Sequence, residues 1–215
     1  MRIFLVTLAV STFAGGALWQ LGWANRIWPS HPFVATVALA AGCGIAAQLA
    51  ASRDAVPGRI VQEPGFTLVG ISVRTSNAIE MSGRGVIGKQ WDRFLKDGLL
   101  EKIRHRAGSD IVAAYTDYES DHSGAYTFII GAKVNSAEIV PQGMVIKEVP
   151  PGKYAVFTSA RGPAAKVVPK SWQQINSLPK SAPGGDRTYQ SDFEVYGASA
   201  ADPEHAQVEI YVGIR

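Results

Sequence analysis

Hydrophobic and polar positions divide the chain near residue 53. Residues 3–24, IFLVTLAVSTFAGGALWQLGWA, carry no charge and are long enough to cross a bilayer as one helix. Pro29 and Pro32 then break the pattern, and a second uncharged run, residues 33–52, follows with alanine and glycine dominant. This predicts two transmembrane helices joined by a tight turn, a membrane hairpin over residues 1–52. Trp19, Trp23 and Trp28 lie near one interface. Gly15, Gly16, Gly42 and Gly44 would let the two helices approach closely. A signal peptide ending at Gly22-Trp23-Ala24 is the alternative. Arg2, Arg53 and Arg59 outweigh Arg26 in the turn, so the charge rule puts both ends on the cytoplasmic side of the inner membrane.

Residues 53–65 contain Pro57-Gly58 and Pro64-Gly65 and are expected to be a linker. From Phe66 to Arg215 the period alternates between that of strands and that of helices. FTLVGISVRTS is strand-like, and a polar, glycine-bearing connection, SNAIEMSGRGVIG, follows it. Trp91, Phe94, Leu95, Leu99 and Ile103 then recur at helical spacing over residues 89–105, with Gly98 as a kink or early stop. IVAAYTDYES and AYTFIIGAKV are strands joined through DHSGA, which completes a βαββ unit. The second half repeats this order. MVIKEVPPGKYAVFTSA is strand, turn, strand; residues 163–178 carry Val167, Val168, Trp172 and Ile175 on one helix face; residues 192–215 close with a hairpin. YTDYESD matches FEVYGAS, and AYTFIIG matches QVEIYVG. The expected fold class is α+β: two βαββ units about a pseudo-twofold axis and a central cleft, preceded by the membrane hairpin.

The closing hairpin holds the candidate chemistry. Alternation puts Phe193 and Val195 on one face of its first arm and Glu194 and Tyr196 on the other. In the second arm Val208, Ile210 and Val212 point one way, and Glu209 and Tyr211 the other. A covered face bearing glutamate beside tyrosine twice suits a pocket for a cation, or for acid–base chemistry. Composition narrows the alternatives. Hydrophobic residues make up 47% of the 215 and charged residues 18%, with a formal net charge of +3 and no Lys/Arg run, so direct nucleic-acid binding is not expected. One cysteine, Cys43, and four scattered histidines provide no disulfide framework and no metal-ligand spacing. No Walker A or Rossmann glycine pattern occurs, and Ser123 and Ser191 lie in no nucleophile elbow. No metal, cofactor or catalytic constellation is therefore assigned.

From about Arg59 onward the residues resemble the GyrI-like small-molecule-binding domain, also called the bacterial transcription-activator effector-binding domain. YTDYESDHSGAYTFIIGAKV, GMVIKEVPPGKYAVFTSARGP, the tryptophan of SWQQI, and DFEVYG followed by VEIYVGI carry the resemblance. It is strongest to stand-alone members with YESDHxGxYT and PPGKYAVF, including integron-associated drug-binding proteins. The resemblance implies paired βαββ units around a hydrophobic cleft, with a buried glutamate and aromatics that take lipophilic cations. Some similar proteins are hydrolases of cyclopropane-bearing alkylators. Regulator members have a helix-turn-helix domain before the cleft, where this chain has its apolar runs.

Glu194 matches the glutamate of the family's D-F-E-x-Y pattern and is the first candidate for the pocket, with Glu209 second. Tyr115, Asp117 and Glu119 alternate onto one face of their strand and would line the opposite wall, with Tyr118 on the other face. Trp172, on the helix just before the glutamate hairpin, is a better pocket candidate than Trp91. Tyr154, Phe157, Tyr189, Tyr196 and Tyr211 complete the aromatic candidates. His122 beside Asp121 reads as a solvated turn rather than a catalytic dyad. Three functions remain open. The first is a membrane-tethered binder of lipophilic, cationic compounds, the second a hydrolase using the cleft glutamate and tyrosines. The third is a ligand-responsive protein acting on an unidentified protein partner.

Overall fold

The computed structural model describes residues 57–179 and 183–215. The expected membrane hairpin lies outside them. Among the described residues no helix is long and apolar enough to cross a membrane. The described chain is mixed α+β, with eight strands in one antiparallel sheet: β1 Arg59–Glu63, β2 Phe66–Ser76, β3 Ile111–Thr116, β4 Ala125–Val134, β5 Val145–Val149, β6 Gly152–Thr158, β7 Ser191–Tyr196 and β8 Glu209–Ile214. Their order is β1-β6-β8-β7-β3-β4-β2-β5. Outward from the central β7–β3 pair, matching places are taken by strands of the first and second halves of the chain.

The helices follow their apolar spacing. Helix α1, Ile87–Lys96, buries Ile87, Trp91 and Phe94 on one face. It ends because Gly98 is left-handed (φ 56), a conformation glycine adopts without a Cβ clash, and α2, Leu99–Lys102, resumes at once. Helix α3, Ala164–Ser177, buries Ala165, Val168 and Ile175. In β2 and β4 the buried positions run consecutively, Leu68 to Ile71 and Phe128 to Ala132, so both faces of these strands are covered. One cover is α1, packed on Val69, Ile71, Phe128 and Ile130.

The other cover is the sheet itself, which curls over. Pro64-Gly65 connects β1 to β2, and Pro150-Pro151 connects β5 to β6, although these strands lie toward opposite ends of the strand order. The two links touch: a Cβ on Gly65 would stand 2.8 Å from Pro151 N. Lys133 of β4 lies 3.9 Å from Glu63 of β1 and 4.1 Å from the Phe66 ring centroid. Leu68, Val112, Ala114, Ile129, Tyr154 and Phe193 fill the concave face. Tight coiling demands glycine where β2 and β4 pair at Gly70 and Gly131, since a Cβ on Gly131 would fall 1.9 Å from Val69 O.

Two sequence expectations change. Residues 59–63, assigned to a linker over 53–65, are edge strand β1, paired with β6 from Arg59↔Val156 to Glu63↔Gly152. Its exposed side chains, Arg59, Ile60 and Gln62, mix polar with apolar and mask the strand period. The strands of MVIKEVPPGKYAVFTSA form, but are not each other's partners: β5 pairs with β2, and β6 with β1 and β8. The double proline directs the chain across the closing curl rather than back on itself.

Candidate functional site

Glu194 stands at the middle of the sheet, on the face that carries the helices. The β3–β7 register sets it opposite Ala113, whose methyl leaves room for its side chain, and sets Tyr115 opposite Asp192. Strand alternation puts Tyr196 on the same face, and α3 lays Trp172 over it. The carboxylate is 1% exposed and accepts three hydrogen bonds. Tyr115 Oη and Trp172 Nε1 donate to Oε1 at 2.8 and 2.5 Å, and Tyr196 Oη donates to Oε2 at 2.7 Å. All three donors are neutral and belong to aromatic rings. Tyr115 packs edge-on against Trp172 at 5.0 Å, and Tyr196 against Trp91 at 4.7 Å.

Burial raises the Glu194 carboxyl above the ordinary glutamate range, because a desolvated charge is disfavoured; the hydrogen bonds from Trp172, Tyr196 and Tyr115 oppose this. Burial, with the neighbouring carboxylate, pushes the Tyr115 and Tyr196 phenols well upward. They therefore keep their protons and remain donors at neutral pH.

Tyr115 and Trp172 also form a wall of a cleft of about 570 Å³, between α3 and the helical turns of residues 77–84. Tyr118, Tyr126, Val168 and Met81 continue its largely apolar lining. Polar groups hold its far end. Tyr126 Oη donates to Asn77 Oδ1 at 3.0 Å, and Asn77 Nδ2 to His122 O at 2.8 Å. Glu80, also on the lining, accepts from Val86 N at 3.0 Å and Ile87 N at 3.3 Å, fixing the entry to α1.

A buried ion pair supports the cleft from below. Asp192, fully buried, pairs with Arg187 at 2.7 Å, and accepts from Tyr118 Oη and Gly213 N, each at 2.8 Å. Arg187 also donates to Asn176 Oδ1 at 2.7 Å and lies 4.5 Å from the Tyr189 ring centroid. The pair thus ties the loop before β7 to α3, β3's exit and β8.

Of the candidates named from sequence, Glu194, Tyr115, Trp172 and Tyr196 come together. Glu209 and Tyr211 do not join them. The β7–β8 register sets Ile210, not Glu209, opposite Glu194, so the two glutamates occupy opposite faces of the sheet. Glu209 pairs with Arg59 at 2.8 Å, which holds its carboxyl below the usual range. Tyr154 also lies on the concave face, bonded to Ser191 Oγ at 2.8 Å. Phe157 is on the helix side but packs with Ile175 and Ile210 in the core. Trp91 is buried. Asp117, with φ 50, leaves the strand path and bonds Lys147 at 2.5 Å. Glu119 Oε2 accepts from Ala125 N, Asp121 accepts from Ser123, and His122 meets Tyr189 Oη at 3.3 Å. Sequence reasoning missed Asp192, Arg187, Glu80 and Asn77. Only Asp192 carried a signal: it shares a strand face with Glu194, two residues on.

The raised Glu194 carboxyl has a consequence for stability. The folded state binds this proton more tightly than the unfolded state does. The resulting stabilisation is fully present below the ordinary glutamate value of 4.5 and is lost as pH rises through the elevated folded value. Glu194→Gln removes the titration. Its stability relative to the parent should improve as pH rises between about pH 4 and about pH 8 in urea unfolding. A difference that stays flat across that interval would contradict the elevation.

Known proteins agree with this architecture. The family described as integron-associated effector binding protein (Cass2) matches residues 59–214. YobU of Bacillus subtilis (strain 168) is 38% identical over 148 residues, covering 68% of this chain and 90% of YobU. The transcriptional regulator BrlR of Pseudomonas aeruginosa is 31% identical over 159 residues, 73% of this chain; the match spans 54% of BrlR. An integron cassette protein from the mobile metagenome of Vibrio cholerae superposes with a TM-score of 0.58 at 29% identity, over 73% of this chain and 95% of that one. SAV2435, solved bound to tetraphenylphosphonium, shares the fold with a TM-score of 0.61 at 18% identity, over 73% of this chain and 93% of its own. The chain belongs to the integron-associated effector-binding proteins, a family of small-molecule-binding domains with the GyrI-like fold.

Proposed function

We propose that the cleft walled by Tyr115 and Trp172 binds lipophilic cations, with Glu194 supplying the charge that selects them. The observation that carries this reading is a fully buried carboxylate whose hydrogen-bond donors, among the described residues, are three neutral ring-borne groups. Such a charge keeps most of its field, because no counter-cation among the described residues pairs with it and burial limits screening by water. A cation in the cleft gains that field, contact with aromatic ring faces, and burial of its apolar groups. Tetraphenylphosphonium, which SAV2435 binds, is the natural probe. The reading treats the two βαββ halves as flanking walls of one binding surface.

The extra elevation of the Glu194 carboxyl also suits proton transfer, which favours a second reading as a hydrolase of electrophilic toxic compounds. One variant separates the two. Glu194→Gln should weaken tetraphenylphosphonium binding by on the order of 1.5–3 kcal/mol, roughly ten- to a hundredfold, in calorimetric titration. Triphenylphosphine oxide, neutral and similar in shape, should lose little. A hydrolase would instead keep its affinity and lose turnover of an alkylator, seen by product analysis. Unchanged cation affinity together with unchanged turnover removes Glu194 from the site.

The reading extends to a tether. The uncharged runs 3–24 and 33–52 anchor the domain as a membrane hairpin, with residues 59–215 on the cytoplasmic side of the inner membrane. Lipophilic compounds concentrate in bilayers, and a tethered binder would meet them there. The full chain should sediment with membranes after alkaline washing, and added protease should spare the domain in spheroplasts. Intact chain in the detergent-free soluble fraction would end the tether, and digestion in spheroplasts would reverse the orientation.

A further inference from the structure

A second cleft, of about 390 Å³, opens on the same face of the sheet, between α1 and the start of α3. Trp91 and Tyr196 form its aromatic wall, Leu95 and Ala165 its apolar sides, and Asp110 and Ala201 lie on its lining. Asp110 is exposed, and Gly197 leaves space for it: a Cβ there would stand 3.2 Å from Asp110 Oδ1. The start of α3 does not present all its amides to this cleft, since Ala164 N is donated to Pro203 O at 2.8 Å. The cleft therefore offers aromatic surface, apolar walls and one solvent-facing carboxylate, the requirements of a small aromatic ammonium ion.

The two clefts share one charge. Glu194 Oε2 accepts from Tyr196, a wall of the second cleft, while Oε1 accepts from Tyr115 and Trp172, walls of the first. We infer that the second cleft is a separate site for a small aromatic cation, coupled unfavourably to the first through Glu194. A cation on either side draws on the same buried negative charge and repels a cation on the other. The coupling rests on the reading of Glu194 given above; the existence of the second site does not.

The test titrates benzyltrimethylammonium into the full-length chain by calorimetry, against detergent-matched blanks. Asp110→Asn removes the rim charge and Ala201→Trp fills the cleft; Ala201 is exposed, so the fold should tolerate the change. Each variant should weaken benzyltrimethylammonium by about fivefold or more while leaving tetraphenylphosphonium within about twofold. Rising tetraphenylphosphonium should weaken benzyltrimethylammonium by about three- to tenfold and then reach a plateau, the mark of two coupled sites. Glu194→Gln should shrink that plateau. Benzyltrimethylammonium binding that ignores both rim variants, or that is absent, overturns the second site. Weakening that grows without a plateau reduces the two clefts to one. Should tetraphenylphosphonium itself fail to bind, the first-cleft reading falls, and the rim variants still decide this one.

Discussion

The Glu194 carboxylate, buried with no ion-pair partner among the described residues, sets the terms for the centre of this structure. Removing Glu194 from water costs several kcal/mol unless hydrogen bonds replace the lost hydration. Three aromatic donors do so, and each is placed by a different part of the chain: Tyr115 by β3, Tyr196 by β7 and Trp172 by α3. Holding them in range requires the central β3–β7 register, the small Ala113 opposite, and α3 packed through Ile175 and Val168. The same rings then form the clefts' walls. Solvating the charge and shaping the cleft walls are one arrangement.

The central register also shows how the two central strands differ. Ala113 lies opposite Glu194, and Tyr115 opposite Asp192, so Tyr115 and Glu194 occupy matching places in the strand order. One half carries the donor and the other the acceptor. Asp192, matching Ala113, has its charge cancelled by Arg187 and serves as structural support. Of two carboxylates on one face of β7, Asp192 is ion-paired and fixes loops, and Glu194 has no ion-pair partner among the described residues.

Most of the fold was legible from periodicity. The helices of residues 87–102 and 164–177, and the strands β2, β3, β4, β7 and β8, all appear where apolar spacing put them. Strand partners were harder to read. Val145–Val149 and Gly152–Thr158 look like a hairpin in sequence, and only the curl of the sheet, which no local pattern encodes, separates them. Register decided the site in the same way. DFEVY and VEIYV each alternate glutamate with tyrosine, but pairing Glu194 with Ile210 turns Glu209 to the other face. Matching YTDYESD with FEVYGAS aligned Tyr115 with Phe193, whereas the register sets Tyr115 opposite Asp192 and Glu194 opposite Ala113. Glu80 and Arg187 escaped notice because each lies in a polar connection whose folded position depends on tertiary contacts.

The central claim is that Glu194 is an elevated, unneutralised charge that a bound cation senses. It is tested most directly by following the Glu194 side-chain carboxyl with carbon NMR through a pH titration, with and without tetraphenylphosphonium. The account predicts a midpoint above the ordinary glutamate range in the free protein, which falls when the cation occupies the cleft. A midpoint at the ordinary value, or one that does not respond to the cation, would contradict it.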